Sequence, residues 1–297
     1  MNFKDTKVSV IVCDLDGTLL DNRKTLSQEN IDTLIQAQEK GYTLVLATGR
    51  AFSMTKTFAS QLKMDQYNGY VVSFNGQQVN ELATNTVHKE ELIDPEIVQK
   101  VYAYAKKNKL QFIIEGYDEF YVYRPKILFF VSLYFSYKRF MSRKQLKKQE
   151  NHPLISSFIA THFVDFIKIK NAKQLNQPFP KMGISHIPAI VTKHMKRLES
   201  KFKKEVQVMR VAPYWIDIVP LGINKAVGLQ WISERLNVPQ SEFLAFGDSE
   251  NDIDMFNYAG VSIAMKNAME ITKSSATFVS NFSNDDHGVS KELLQRM

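Results

Sequence analysis

Along the chain, short apolar runs alternate with longer stretches whose apolar residues recur every three or four positions. Residues 8–13, VSVIVC, form a β-branched run that stops at Asp14; so short a run predicts a buried strand rather than a helix. Ser27 suits an N-cap, Ile31, Leu34, Ile35 and Gln38 follow at helical spacing, and Gly41 stands where a C-terminal cap belongs. Residues 43–47 predict a second strand, 51–62 a helix and 70–74 a third strand. Strands alternating with helices imply a parallel sheet covered on its faces.

After Phe74 the rhythm changes. Asn75-Gly76 predicts a tight turn, and a short strand leaves through the polar Ala83-Thr84-Asn85. Beyond it a helix is expected over 95–108, with Pro95 suited to the first turn. Strands are expected at 111–115 and 120–123, an alternating stretch at 163–170, a basic amphipathic helix at 192–203 and a strand at 206–211. This middle part reads as an α+β insert built on antiparallel pairs. The α/β rhythm resumes near Trp215, with a helix over 225–236 and strands at 243–246, 261–264 and 277–280. The expected division is therefore a core of residues 1–84 and 215–297, interrupted by an insert of residues 85–214.

Charge sharpens this division. Of 38 basic and 31 acidic side chains, residues 1–80 carry eight of each and residues 216–297 carry six and eleven, leaving 24 basic and 12 acidic for residues 81–215. The local excess of +12 is either a solvated lysine-rich face or a surface that draws anions. Cys13 is the only cysteine, which excludes an internal disulfide and a cysteine-based zinc site and fits a reducing compartment. The start, residues 1–7, lacks the apolar stretch of a secretory signal. The apolar run at 127–135 is also far shorter than the roughly 20 residues of a spanning helix. A cytoplasmic protein without a membrane span is expected.

Four polar motifs punctuate the core. Asp14-Leu15-Asp16-Gly17-Thr18-Leu19-Leu20 follows the first strand, at the sheet end where ligands gather in open α/β folds. Two carboxylates two residues apart can share one hard cation, and Gly17 allows a turn that bares backbone N–H groups. Thr48-Gly49-Arg50 joins the second strand to a helix, where a hydroxyl and N–H groups suit phosphate, although a simple helix cap would look the same. Gly222-Ile223-Asn224-Lys225 places a lysine at a helix start. That is unfavourable for the helix dipole and calls for an anionic partner, unless the lysine is merely exposed. Gly247-Asp248-Ser249-Glu250-Asn251-Asp252 crowds carboxylates after an apolar strand, which a bound cation explains more simply than an acidic surface loop.

In order, spacing and context these four pieces resemble the haloacid dehalogenase superfamily, specifically its Cof-type phosphatases. The later runs Ala259-Gly260-Val261-Ser262-Ile263-Ala264-Met265-Lys266-Asn267-Ala268 and Asp286-His287-Gly288-Val289 are similar too. The resemblance implies a Rossmann-like parallel-sheet core carrying an inserted α+β cap that selects the substrate. It implies a Mg²⁺-dependent phosphatase acting on a small phosphorylated metabolite through an aspartyl-phosphate. Asp14 would be nucleophile and metal ligand, and Asp16 general acid and base, with its backbone carbonyl on the metal. Leu15, Thr48, Gly49, Lys225 and Asn251 would hold the phosphate. Asp248 would bind Mg²⁺, and Asp252 would support the site from behind. Three positions depart from the usual pattern: Ala226 and Lys266 where glycine is frequent, and Gln77 where alanine is usual. A phosphomutase or phosphotransferase on the same core is the nearest alternative. A nucleic-acid-binding module is a different class, motivated by Phe129, Phe130, Tyr134, Phe135, Tyr137 and Phe140 among basic residues of the insert. Those aromatics suit an insert core equally well, and a binding module would leave the acidic motifs idle.

Overall fold

A computed structural model describes residues 7–117, 119–126, 128 and 166–296. The six aromatics just named, most of the apolar run at 127–135 and the basic residues from Lys138 to Lys148 lie outside the described residues. The chain forms two compact units, residues 1–91 with 222–297, and residues 92–221.

The first unit is built on an eight-stranded sheet. Its strands are β1 (Val10–Cys13), β2 (Thr43–Ala47), β3 (Tyr70–Ser73), β4 (Gln78–Glu81) and β5 (Thr86–Lys89). The order is completed by β12 (Phe243–Gly247), β13 (Val261–Ala264) and β14 (Phe278–Val279), giving β14-β13-β12-β1-β2-β3-β4-β5. The pairs from β14 to β3 are parallel and the last two antiparallel. Chain order reverses at β1, which lies between β2 and β12; such a switch point opens a crevice at the carboxyl ends of the strands. Val10 and Val12 on one face of β1, and Ile11 and Cys13 on the other, belong to separate apolar clusters. Both faces of the sheet are therefore covered, as the unbroken apolar runs require.

Helices α1 (Gln28–Glu39) and α2 (Lys56–Gln61) connect the early strands, and Ser27 caps α1 by accepting from the Asn30 N–H. The expected helix over 51–62 is instead a 3₁₀ turn, Phe52–Met54, followed by α2. The Thr55 hydroxyl bonds back to the Phe52 carbonyl at 2.7 Å and breaks the run. The third strand stops at Ser73 because Phe74 and Asn75 take φ of 50° and 57°.

The second unit carries β6 (Gln111–Glu115), β7 (Phe120–Tyr123), β8 (Phe166–Lys168), β9 (Lys181–Ser185), β10 (Val206–Ala212) and β11 (Trp215–Pro220), in the order β10-β11-β9-β6-β7-β8. All of its pairs are antiparallel except β7 with β8. Helices α3 (Pro95–Lys107) and α4 (Pro188–Phe202) supply Val98, Val101, Val191 and Leu198 to the apolar cluster that takes Phe112, Ile114, Ile184, Ile216 and Ile218 from the sheet. The amphipathic helix starts at Pro188 rather than near 192, since proline is already set for the first helical position. The units divide after residues 91 and 221, where 84 and 214 were expected. Strand β5 completes a hairpin with β4, and β11 pairs with β9 and β10, so each stays with its partners.

Four further helices complete the first unit: α5 (Lys225–Leu236), α6 (Ile253–Tyr258), α7 (Glu270–Ser275) and α8 (Gly288–Leu294). No helix of the described residues is long and apolar enough to cross a membrane.

Candidate active site

Three adjacent parallel strands deliver the polar motifs to one end of the sheet. Asp14 follows β1, and its N–H donates to the Phe246 carbonyl at 3.0 Å, which ties the turn to β12. Thr48 follows β2, with its N–H on the Val72 carbonyl at 2.8 Å and its hydroxyl oxygen accepting from the Arg50 N–H at 3.2 Å. Asp248 follows β12. Gly17 lies beneath it at φ 90°, and a Cβ there would sit 2.5 Å from Asp248 Oδ2. Only glycine satisfies both that backbone and that contact.

Lys225 opens α5, whose N-cap Asn224 accepts from the Val227 N–H at 3.3 Å. Its side chain is wholly buried, with Nζ 2.5 Å from Asp14 Oδ1 and 2.6 Å from Asp252 Oδ1. Asp252 Oδ2 accepts the N–H groups of Asp248 at 2.8 Å and Ser249 at 2.9 Å. Asp248 in turn accepts from the hydroxyls of Thr18 at 2.9 Å and Ser249 at 3.0 Å. Asn251 Nδ2 donates to Asn75 Oδ1 at 2.9 Å. The Leu15 side chain is buried in the core and its carbonyl accepts from the Leu20 N–H at 2.8 Å, so its N–H is the group that could serve a ligand, and Gly49 is half-buried.

The electrostatics follow from this crowding. Burial, and then the charges of Asp252 and Asp248, push the Asp14 carboxyl well above the usual carboxylate range, against the pull of Lys225. Burial and Asp252 raise Asp248 to about 7. Lys225 is raised despite its burial, because Asp14 and Asp252 hold its proton. Burial also acts to raise Asp16, but Arg50 and then Lys24 more than offset it and hold Asp16 below the usual range. Arg50 makes a two-pronged pair with it at 2.7 Å through both Nε and Nη2, and Lys24 Nζ lies at 2.8 Å.

Asp14, Asp248 and Asp252 each offer an oxygen within 4.8 Å of the others. Three carboxylates gather around Lys225, whose ammonium contacts two of them, and a divalent cation would neutralise the excess. The donor set is all oxygen, which suits a hard cation. Asp14, Asp248 and Asp252 together could therefore hold a divalent cation.

The structure thus joins Asp14, Lys225, Asp248 and Asp252 directly and links Thr48 to Asn251 through Asn75. Sequence reasoning gave no role to Thr18, Lys24, Arg50 or Asn75. Arg50 and Thr18 belong to motifs already noticed; Lys24 carried no local signal, and Asn75 was read as a turn former.

The haloacid dehalogenase-like hydrolase family model matches residues 11–293, and the chain belongs to that family. It is a phosphoric monoester hydrolase of the Cof type. Among its relatives, the 5-amino-6-(5-phospho-D-ribitylamino)uracil phosphatase YitU of Bacillus subtilis is 27% identical over 98% of both chains. The phosphatase YwpJ of the same organism is 28% identical, over 97% of this chain and 100% of its own length. A haloacid dehalogenase-like hydrolase of Bacteroides thetaiotaomicron superposes with a TM-score of 0.76 at 26% identity, over 98% of this chain and all of its own.

Proposed function

We propose that this enzyme moves a phosphoryl group from a small phosphorylated metabolite onto Asp14 and then to water, with Mg²⁺ as its metal. The observation that supports this most strongly is the buried Asp14–Lys225–Asp252 chain, with Asp248 beside it, at the switch point of the sheet. Asp14 Oδ1 is held by Lys225, so Oδ2 is the oxygen that attacks phosphorus as the bond to the leaving oxygen breaks. Lys225, Thr48, Asn251 and the N–H groups of Leu15 and Gly49 orient the transferring group and meet the charge on its equatorial oxygens. Mg²⁺, held by Asp14, Asp248 and the Asp16 carbonyl, would lend Lewis-acid stabilisation to that charge. In the second displacement water attacks phosphorus, the bond to Asp14 breaks, and Asp16 takes the proton of the water. Paired with Arg50 and Lys24, Asp16 is a carboxylate ready to accept. To protonate the leaving oxygen in the first displacement, it must part from them with a proton.

The insert serves as the cap that chooses the substrate, and the protein works in the cytoplasm. YitU and two further relatives are named for 5-amino-6-(5-phospho-D-ribitylamino)uracil, which makes a phosphorylated polyol carrying a heterocycle the first class to test. Phosphate release with Mg²⁺ across sugar phosphates, nucleotides and that compound should show one substrate far ahead of the others. Release from none of them, at any metal concentration, would contradict the proposal.

A further inference from the structure

Three of the four residues joining β3 to β4, Phe74, Asn75 and Gly76, touch three of the loops assigned above to the phosphoryl group. The Phe74 N–H donates to the Arg50 carbonyl and the Asn75 N–H to the Thr48 carbonyl, each at 3.0 Å, so the loop after β2 is held at both ends. A Cβ on Gly76 would lie 1.9 Å from the Asn224 carbonyl oxygen. The Gly76 backbone therefore packs directly on the residue before Lys225. The Asn75 side chain reaches the third loop, accepting from Asn251 Nδ2 at 2.9 Å. All three residues are buried, with φ of 50°, 57° and 105°. Left-handed backbone is unfavourable at a bulky residue such as Phe74, and a plain hairpin would not demand it there; it persists where surrounding contacts impose it.

A primary carboxamide carries two N–H groups and one carbonyl, and its ends can exchange by rotation. The acceptor at Asn75 breaks that symmetry. It engages one N–H of Asn251, which leaves the second N–H of the same nitrogen for a phosphoryl oxygen. Without the acceptor the Asn251 carbonyl could turn toward the phosphate, where two oxygens repel.

We propose that Asn75 is a positioning residue, whose side-chain carbonyl sets the orientation of the Asn251 amide while its backbone fixes the Thr48 loop. The inference rests on the assignment of Thr48, Lys225 and Asn251 to phosphate holding. Asn75→Gly keeps a backbone suited to positive φ and deletes the whole carboxamide, its acceptor included. Asn75→Ser is a second deletion, in which the oxygen is drawn back out of reach.

The full-length enzyme with Mg²⁺ is assayed on p-nitrophenyl phosphate, and inorganic phosphate binding is followed by calorimetry. Both variants should raise KM and the phosphate dissociation constant about tenfold, the scale of one lost polar interaction, with kcat changed by no more than about twofold. A merely structural role would instead lower kcat through a smaller folded fraction and leave phosphate affinity intact. In an Asn251→Ala background the Asn75→Gly loss should vanish, because the two residues act as one unit. Unaltered phosphate affinity in both Asn75 variants, or an undiminished loss in the Asn251→Ala background, would overturn the proposal and leave the site assignment standing. Wild-type affinity for phosphate in Asn251→Ala would instead remove the assignment itself, and the proposal with it.

Discussion

Replacing Lys225 with methionine tests the electrostatic core of the site. The substitution keeps the length of the side chain and removes the ammonium in contact with Asp14 and Asp252, at 2.5 and 2.6 Å in a wholly buried setting. Removing one partner from a buried charge pair costs about 3–5 kcal/mol, mostly through the charge left behind. At about 2–4 °C per kcal/mol for a unit of this size, melting should fall by about 6–20 °C at pH 8 without metal. The loss must also depend on pH. A carboxyl whose folded pKa is raised contributes stability below its unfolded pKa and loses it as pH rises through the folded value. Asp14 is raised and Asp248 lies at about 7, and Lys225 lowers both, so its removal raises them further. At pH 5 those carboxyls take protons and the deficit should shrink to about half or less. Calorimetric melting of wild type and Lys225→Met at both pH values is the assay. A deficit equal at pH 5 and pH 8 would mean lost packing rather than stranded charge, and would refute this reasoning.

Metal removal should abolish phosphate release and added Mg²⁺ restore it, while Ca²⁺, with its larger and irregular shell, should restore little. At a hundred times its dissociation constant Mg²⁺ should stabilise the protein by about 2.7 kcal/mol, or about 5–11 °C; full activity in metal-free protein would contradict this. The exposed Lys193, Lys196, Arg197 and Lys201 on α4, with Lys203 and Lys204 beyond it, should draw anionic substrates electrostatically. With a Debye length of about 8 Å near physiological salt, raising salt or replacing the cluster with glutamine should lower kcat/KM and spare kcat. An unchanged kcat/KM over a tenfold salt range would make the cluster a solvated face, and oligonucleotide binding through it would favour the nucleic-acid reading.

The residues at the ends of β1 and β12 were legible in sequence because apolar strands stopping abruptly at carboxylates announce a strand end in a crevice. Lys225 was legible for a related reason, as a cation set against a helix dipole. The Arg50–Asp16 pair was not, since residues 34 apart meet only through the register of β1 with β2. The residues of β5 and β11 fell beyond the expected boundaries because a stretch of sequence records its own pattern and not its partner's. Asn75-Gly76 illustrates a deeper limit. The pair does turn the chain, as its composition demands, but what fixes its left-handed geometry comes from Thr48, Asn224 and Asn251, all distant in sequence.

The central claim is that the phosphoryl group rests covalently on Asp14. Acid quenching during turnover of p-nitrophenyl phosphate with Mg²⁺, followed by mass spectrometry of peptides, reads this directly. The account predicts a phosphorylated peptide with the modification on Asp14 in wild type, and neither the modification nor appreciable turnover in folded Asp14→Asn. Phosphorylation at another residue, or near-wild-type phosphate release by Asp14→Asn, would contradict it.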